Sequence, residues 1–302
     1  MTCPDKFPGK AVKMKSYLLE WNDFQLALGP ATAVMGIVNV TPDSFSDGGR
    51  FLQTDAAVAH GLALVEAGAH ILDIGGESTR PFADPVPERQ ELERVVPVIE
   101  KLAPLVSVPI SIDTTKAAVA GAALRAGASM VNDISALRMN PQIAGVAAAA
   151  GVPLILMHMK GTPRTMQVDP GYDDLFGEIT AFLAKAMEQA VASGVRRELL
   201  VVDPGIGFGK TFAHNLEILG HLDRFQALDA PILVGPSRKA FVRALVKDKD
   251  ADDIPADRPE VINGTLAAVT AAVLNGAHIV RVHDVKQAAA AVKVADAVRA
   301  AG

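Results

Sequence analysis

Short runs rich in Val, Ile and Leu recur along the chain at 33–40, 71–75, 109–113, 130–134, 154–157, 200–202, 232–234 and 278–282. They are continuous rather than alternating, the pattern of strands covered on both faces. Between them lie Ala-rich segments with helical spacing. Val58, Leu62 and Val65 repeat at i, i+4 and i+7, as do Val119, Ala123 and Ala126, so these positions are expected to face a core. Gly68, Gly127, Gly151, Gly194 and Gly276 each follow such a segment and precede an apolar run, where glycine closes a helix C-terminus. Strands alternating with helices predict parallel pairing with crossovers.

Eight parallel strands can stay open or close into a (β/α)8 barrel of roughly 250 residues. From Asn39 to His283 is 244 positions, seven intervals of about 35 residues, which suits a single closed barrel. The expected fold is therefore an α/β single (β/α)8 TIM barrel over residues 30–302, with residues 1–29 as an N-terminal extension. No GxGxxG follows the first strand, where a dinucleotide fold would need it.

Polar groups mark the strand ends. Asn39, Asp73, Asp113, Asn132, His158, Asp203, Ser237 with Lys239, and Arg281 with His283 all fall at or just beyond the ends of apolar runs. In a barrel those ends converge on one mouth, where barrel active sites lie. Asp113, Asn132 and Asp203 in an otherwise apolar mouth suit a flat heterocycle with adjacent N–H donors and a carbonyl. Arg80, Lys239, Arg281 and His283 suit phosphate or pyrophosphate. The first strand runs into 39–50 and the second into 75–81, segments rich in Gly, Ser, Thr and Pro that read as lids beside the mouth.

Composition narrows the function classes. The chain is 50% hydrophobic and 21% charged, so a sizeable core is available. Only 5% is aromatic, against an aromatic carbohydrate-binding sandwich. A formal charge of −5 with no basic stripe argues against nucleic acid. Cys3 has no partner, which excludes an internal disulfide and a CxxC redox site, and a reducing compartment fits. The first thirty residues lack an apolar signal core, so a cytoplasmic protein is expected. Uncharged stretches at 143–159 and 261–280 are broken by Gly and polar residues and read as buried helix followed by strand, not membrane.

Two tempting motifs fail on spacing. Gly209-Lys210-Thr211 looks like the end of a phosphate-binding loop, but GxxxxGK[ST] needs glycine at 204, which is Pro204. The glycines there instead let the backbone turn tightly under a flat ligand, with Phe208 packing on it. The seven histidines form no compact zinc spacing.

Eight motifs resemble those of the dihydropteroate synthase family, in order and over more than four-fifths of the chain. They are Met35-Gly-Ile-Val-Asn-Val-Thr-Pro-Asp-Ser-Phe-Ser-Asp-Gly-Gly49, Asp73-Ile-Gly-Gly-Glu-Ser-Thr-Arg-Pro81, Ser111-Ile-Asp113, Val131-Asn-Asp-Ile-Ser135, Leu156-Met-His-Met159, Asp203-Pro-Gly-Ile-Gly-Phe-Gly-Lys210, Gly235-Pro-Ser-Arg-Lys239 and Arg281-Val-His-Asp284. The resemblance implies a transferase that joins 6-hydroxymethyl-7,8-dihydropterin diphosphate to 4-aminobenzoate, giving 7,8-dihydropteroate and pyrophosphate in folate synthesis. It assigns Asp113, Asn132, Met157, Asp203, Phe208, Gly235 and Lys239 to the pterin, and Asn39, Arg80, Arg281 and His283 to the diphosphate. Phe45, Thr79, Pro81 and Ser237 would take 4-aminobenzoate, with Asn39 the ligand of a Mg²⁺ ion. Asp113, Asp203, Lys239, Arg281, His283 and Asp47 form the implied catalytic set, in a homodimer packed through barrel helices.

Rivals come from other classes. A pterin-dependent methyltransferase shares the Asp and Asn grip but has no need for the Ser237-Arg-Lys239 and Arg281-Val-His283 motifs together. A non-catalytic paralogue would bind pterin without turnover. A sugar-phosphate barrel lyase would want a Schiff-base lysine inside a strand, and none of the eight carries one.

Overall fold

The computed structural model describes residues 14–41, 50–78, 84–166, 168 and 170–301. Two short strands come first, β1 (Tyr17–Trp21) and β2 (Phe24–Leu28), as an antiparallel hairpin. Eight parallel strands follow: β3 (Ala33–Asn39), β4 (Ile71–Gly75), β5 (Ile110–Asp113), β6 (Met130–Asp133), β7 (Leu154–Met157), β8 (Leu200–Asp203), β9 (Leu233–Val234) and β10 (Ile279–Val282). They pair in the order β8-β7-β6-β5-β4-β3-β10-β9. A parallel bridge from Val202 to Ile232, with Val202 N donating to Pro231 O at 3.0 Å, joins β8 to β9 and closes the barrel.

Nine helices lie among the described residues: α1 (Arg50–Glu66), α2 (Glu88–Leu102), α3 (Ala117–Arg125), α4 (Gln142–Ala150), α5 (Leu175–Ala192), α6 (Phe212–Gly220), α7 (Ala240–Val246), α8 (Pro259–Leu274) and α9 (Val285–Ala301). The barrel strands are buried on one face by these helices and on the other by the side chains that fill the barrel interior, which is why their sequences read as nearly unbroken apolar runs. Gly68, Gly127, Gly151, Gly194 and Gly276 all carry positive φ at the helix-to-strand turns expected of them.

Two details differ from the sequence reading. Leu62 is exposed, and the buried stripe of α1 is Ala57, Gly61 and Leu64, one position from the predicted one. Close approach sets that face: a Cβ on Gly61 would stand 2.9 Å from Leu102 Cδ1 at the end of α2. Asp73 sits in mid-strand, paired in register with Ile37 and Ser111, and is fully buried below the rim rather than on it.

The hairpin occupies residues 17–28 of the segment expected as an extension. Its inward positions Leu19, Trp21 and Leu28 join the barrel's hydrophobic core. Lys15 O meets His278 Nε2 at 3.1 Å just before β10, and Arg196 Nη2 donates to Glu20 O at 2.6 Å shortly before β8. The hairpin thus covers the N-terminal end of the barrel, opposite the mouth.

Candidate functional site

The rim is laid out by strand register. Asn39 pairs with Gly75, Gly75 with Asp113, and Asp113 with Asn132, so one level carries two amides and a carboxylate across four neighbouring strands. Met157 and Asp203 pair next to them at the ends of β7 and β8. One layer down, Asp73 accepts from Arg281 Nε at 2.6 Å and from Asn132 Nδ2 at 3.2 Å. Arg281 reaches inward from β10, and its Nη2 donates to Asp113 Oδ2 at 2.8 Å. One guanidinium therefore bridges two carboxylates of the mouth.

The opposite wall is the loop after β8. Gly205, Gly207 and Gly209 all have positive φ, and each lies against a neighbour. A Cβ on Gly205 would fall 1.9 Å from His158 O, one on Gly207 3.0 Å from Lys239 Cδ, and one on Gly209 2.5 Å from Lys160 O. The loop can press onto the β7 loop and admit the Lys239 stem only with glycine at these positions. Gly205→Ala is expected to destabilise the protein by about 2–3 kcal/mol, read as a lower urea midpoint. Gly205 N also donates to Asp203 Oδ1 at 2.6 Å, fixing that carboxylate.

Phe208, Met157, Ile134, Met159 and Met166 form an apolar cluster separate from the main core. Lys239 Nζ stands 3.9 Å from the centroid of the Phe208 ring. Gly235 lies against Arg281. Ser237 Oγ contacts His283 Nδ1 at 3.0 Å and accepts from His283 N at 3.2 Å, so Ser237 and His283 share one edge of the mouth. Of the residues assigned from the sequence, Asn39, Asp113, Asn132, Met157, Asp203, Phe208, Gly235, Ser237, Lys239, Arg281 and His283 are brought to this mouth by seven of the eight strands and the loops that follow them. Phe45, Asp47, Thr79, Arg80 and Pro81, and most of the two expected lid segments, lie outside the described residues.

Burial governs the charges. It pushes the Asp113 carboxyl up to about 7 against the pull of Arg281, with Asp73, Glu91 and Asp133 adding to the rise. It raises Asp203 to about 6, restrained by the Gly205 N–H, Lys210, Lys239 and Arg281. Burial and then Arg281 bring Lys239 down to about 8, opposed by Asp203 and Asp113. The site thus holds carboxylates and cations poised near neutrality.

Three features carry no assignment in the sequence reading. Ile134 belongs to the apolar floor, one residue beyond β6. Asp73 ties Arg281 to Asn132. A cavity of about 240 Å³ opens beside Asp113, lined among others by Thr114, Ile134, Met139 and Glu77. Behind it Lys116 is paired with Glu77 and with the fully buried Glu91.

A closed parallel barrel with carboxylates, amides and cations over an apolar floor defines an enzyme site for a flat, polar heterocycle. Residues 35–283 match the pterin binding enzyme family. The chain is 48% identical over 269 residues to the dihydropteroate synthase of Synechocystis sp., covering 89% of this chain and 91% of that one. Its fold is similar to the Yersinia pestis dihydropteroate synthase solved with a sulfonamide drug, at a TM-score of 0.86 and 44% identity over 94% of this chain and 100% of the other. It is also similar to the Xanthomonas albilineans dihydropteroate synthase in complex with 7,8-dihydropteroate, at a TM-score of 0.78 and 42% identity over 91% and 96%. The chain belongs to the pterin-binding enzymes and, among them, to the dihydropteroate synthase family.

Proposed function

We propose that this mouth condenses 6-hydroxymethyl-7,8-dihydropterin diphosphate with 4-aminobenzoate, releasing 7,8-dihydropteroate and pyrophosphate. The observation that carries the reading is the arrangement of Asp113, Asn132 and Asp203 around the Met157, Ile134 and Phe208 floor, with Lys239 and Arg281 beside it. Carboxylates accept the N–H edge of the pterin, the Asn132 amide matches its carbonyl and ring nitrogens, and the apolar floor takes its face.

Arg281 has two jobs. It neutralises Asp73 and Asp113. When the pterin's own N–H donors take Asp113, the guanidinium keeps Asp73 and turns its freed N–H groups to the diphosphate. There, with His283 and Arg80, it stabilises the negative charge that grows on the leaving group as the C–O bond to the pterin methylene breaks. The carboxylates offset positive charge on the methylene, and the arylamine nitrogen then forms the new C–N bond and gives up one proton to the released pyrophosphate or to water. Phe45, Thr79, Pro81 and Ser237 hold the arylamine in line, and Asp47 steadies the first loop.

A Mg²⁺ ion fits this mouth as a companion of the diphosphate. Among the described residues no three His, Cys, Asp or Glu side chains gather into a metal cage. Asn39 offers one half-buried amide oxygen at the rim, the hard ligand suited to an ion that keeps its waters and binds substrate phosphates. Bound there, it would neutralise charge on the diphosphate. The same reading has the protein acting in the cytoplasm as a homodimer. No described helix is long and apolar enough to cross a membrane. Phe212 and Leu216 on α6 and Leu245 on α7 are exposed apolar positions suited to helix packing between copies.

The pH dependence follows from the two raised carboxyls. The pterin edge needs carboxylates, so kcat/KM for the pterin diphosphate is expected to fall as pH drops through about 7 and then about 6. Stability moves the other way. A carboxyl raised in the folded state binds more protons there than in the unfolded chain, so these groups favour folding least above pH 7. A flat kcat/KM between pH 5 and 8 would remove both from pterin binding.

Purified protein given the pterin diphosphate, Mg²⁺ and 4-aminobenzoate is expected to form dihydropteroate and pyrophosphate in equal amounts. Pterin binding with no product under any metal condition would mean a non-catalytic binding protein.

A further inference from the structure

Lys210 closes the motif that imitates a phosphate-binding loop, yet its side chain does not reach the rim. It is 2% exposed. Thr211 beside it caps α6, accepting from His214 N at 3.2 Å. The Lys210 ammonium turns beneath the glycine loop, where Nζ contacts His158 Nδ1 at 2.9 Å and donates to Phe208 O at 3.1 Å. His158 is itself buried, edge-on to Phe182 at 4.8 Å. Burial, and then the Lys210, Arg138 and Lys160 cations, disfavour a protonated ring, so Nδ1 is the acceptor.

A buried ammonium is costly unless its donors are used. Here two of its three donors are used on the two loops that form the pterin wall. His158 follows Met157 on the β7 loop, and Phe208, whose ring carries Lys239, belongs to the β8 loop that starts at Asp203. The groups facing Lys210 are Asp203, Lys239 and His158; those facing Asp203 are the Gly205 N–H, Lys210, Lys239 and Arg281. Lys210 is the cation of this set that lies wholly behind the wall.

We propose that Lys210 is a positioning residue of the pterin subsite: it ties the β7 loop to the β8 glycine loop and acts as a hidden counter-charge to Asp203. The ammonium holds the Phe208 carbonyl, and through it the ring against which Lys239 and the heterocycle lie. Burial brings Lys210 itself down to about 7, opposed by Asp203, so through the acid range it is charged and lowers the Asp203 carboxyl, favouring the anion that accepts the pterin's N–H edge. The inference rests on the synthase reading above, and turnover by the unaltered protein in the same assay separates the two. Without such turnover the reaction reading fails; with it, the variants judge Lys210 alone.

The test is Lys210→Met, with KM for each substrate measured across pH and the melting temperature followed alongside. The KM for the pterin diphosphate is expected to rise about tenfold or more, as for a misplaced first contact, while that for 4-aminobenzoate stays within about twofold. The acid limb of kcat/KM for the pterin diphosphate is expected to move to higher pH, because Asp203 has lost a cation. A second variant, His158→Phe, keeps the ring packing and removes the acceptor. It is expected to raise the pterin KM alone, with the acid limb unmoved because Lys210, brought down by burial to about 7, stays charged at the more acid pH where Asp203 titrates. If Lys210→Met does not fold, His158→Phe decides. Unchanged kinetics, or a parallel rise of both KM values with a falling melting temperature, overturns the proposal.

Discussion

Asp113→Asn is expected to lower kcat/KM for the pterin diphosphate by about a hundredfold or more, the scale for losing one charged contact to a reacting group. Asp113 stands at the end of β5, in register with Gly75 and Asn132, and its Oδ2 accepts from Arg281. An amide of the same size keeps the packing but presents N–H groups to donors, both those of Arg281 and those of the pterin. The loss is expected mainly in pterin affinity, read by calorimetry with a diphosphate-free pterin, with 4-aminobenzoate KM little changed. The acid limb near pH 7 is expected to disappear with the carboxyl. Full pterin affinity in Asp113→Asn would take this residue out of the site.

Arg281→Met is expected to cost more, because one change removes two contacts. Asp73 is fully buried, and its Oδ1 has no hydrogen-bond partner among the described residues. Without Arg281, its Oδ2 keeps only the Asn132 amide. Breaking a buried ion pair from one side typically costs about 3–5 kcal/mol, and a lower melting temperature is expected. Turnover is expected to fall by about a thousandfold, since the guanidinium also faces the leaving diphosphate. Arg281→Lys restores charge without the fork that reaches Asp73 and Asp113 together, so it is expected to recover stability better than rate. If Arg281→Met turned over normally, the leaving-group role would be wrong.

Much of this architecture is legible in the sequence for one reason: a parallel strand buried on both faces is largely apolar until it ends, so a polar side chain at the end of the run marks the mouth. Asn39, Asp113, Asn132 and Asp203 stand out that way, at or within one residue of their strand ends. Asp73 obeys a different constraint. A polar residue inside a strand points into the barrel, and only strand register shows that it lies a layer below Asp113. The α1 face is hidden from the apolar pattern because its centre is small: Gly61 lies against Leu102, and Ala57 is buried beside it.

The hairpin had a signal of its own. Tyr17, Leu19 and Trp21, then Phe24, Leu26 and Leu28, alternate around Asn22-Asp23, and Asn22 has the positive φ of a tight hairpin turn. Lys210 and Ile134 could not be read by position alone. One turns under a loop whose path depends on three glycines, and the other joins the floor only because β6 bends there around Asp133, which accepts from Ser135 N and Leu137 N.

The most direct measurement is a crystal structure of the protein with a bound pterin. The ring is expected over Phe208 and Met157, with its N–H edge on Asp203 and Asp113 and with Arg281 released from Asp113 while still held by Asp73. A pterin bound elsewhere, or one bound in the mouth with Arg281 still on Asp113, would contradict the account.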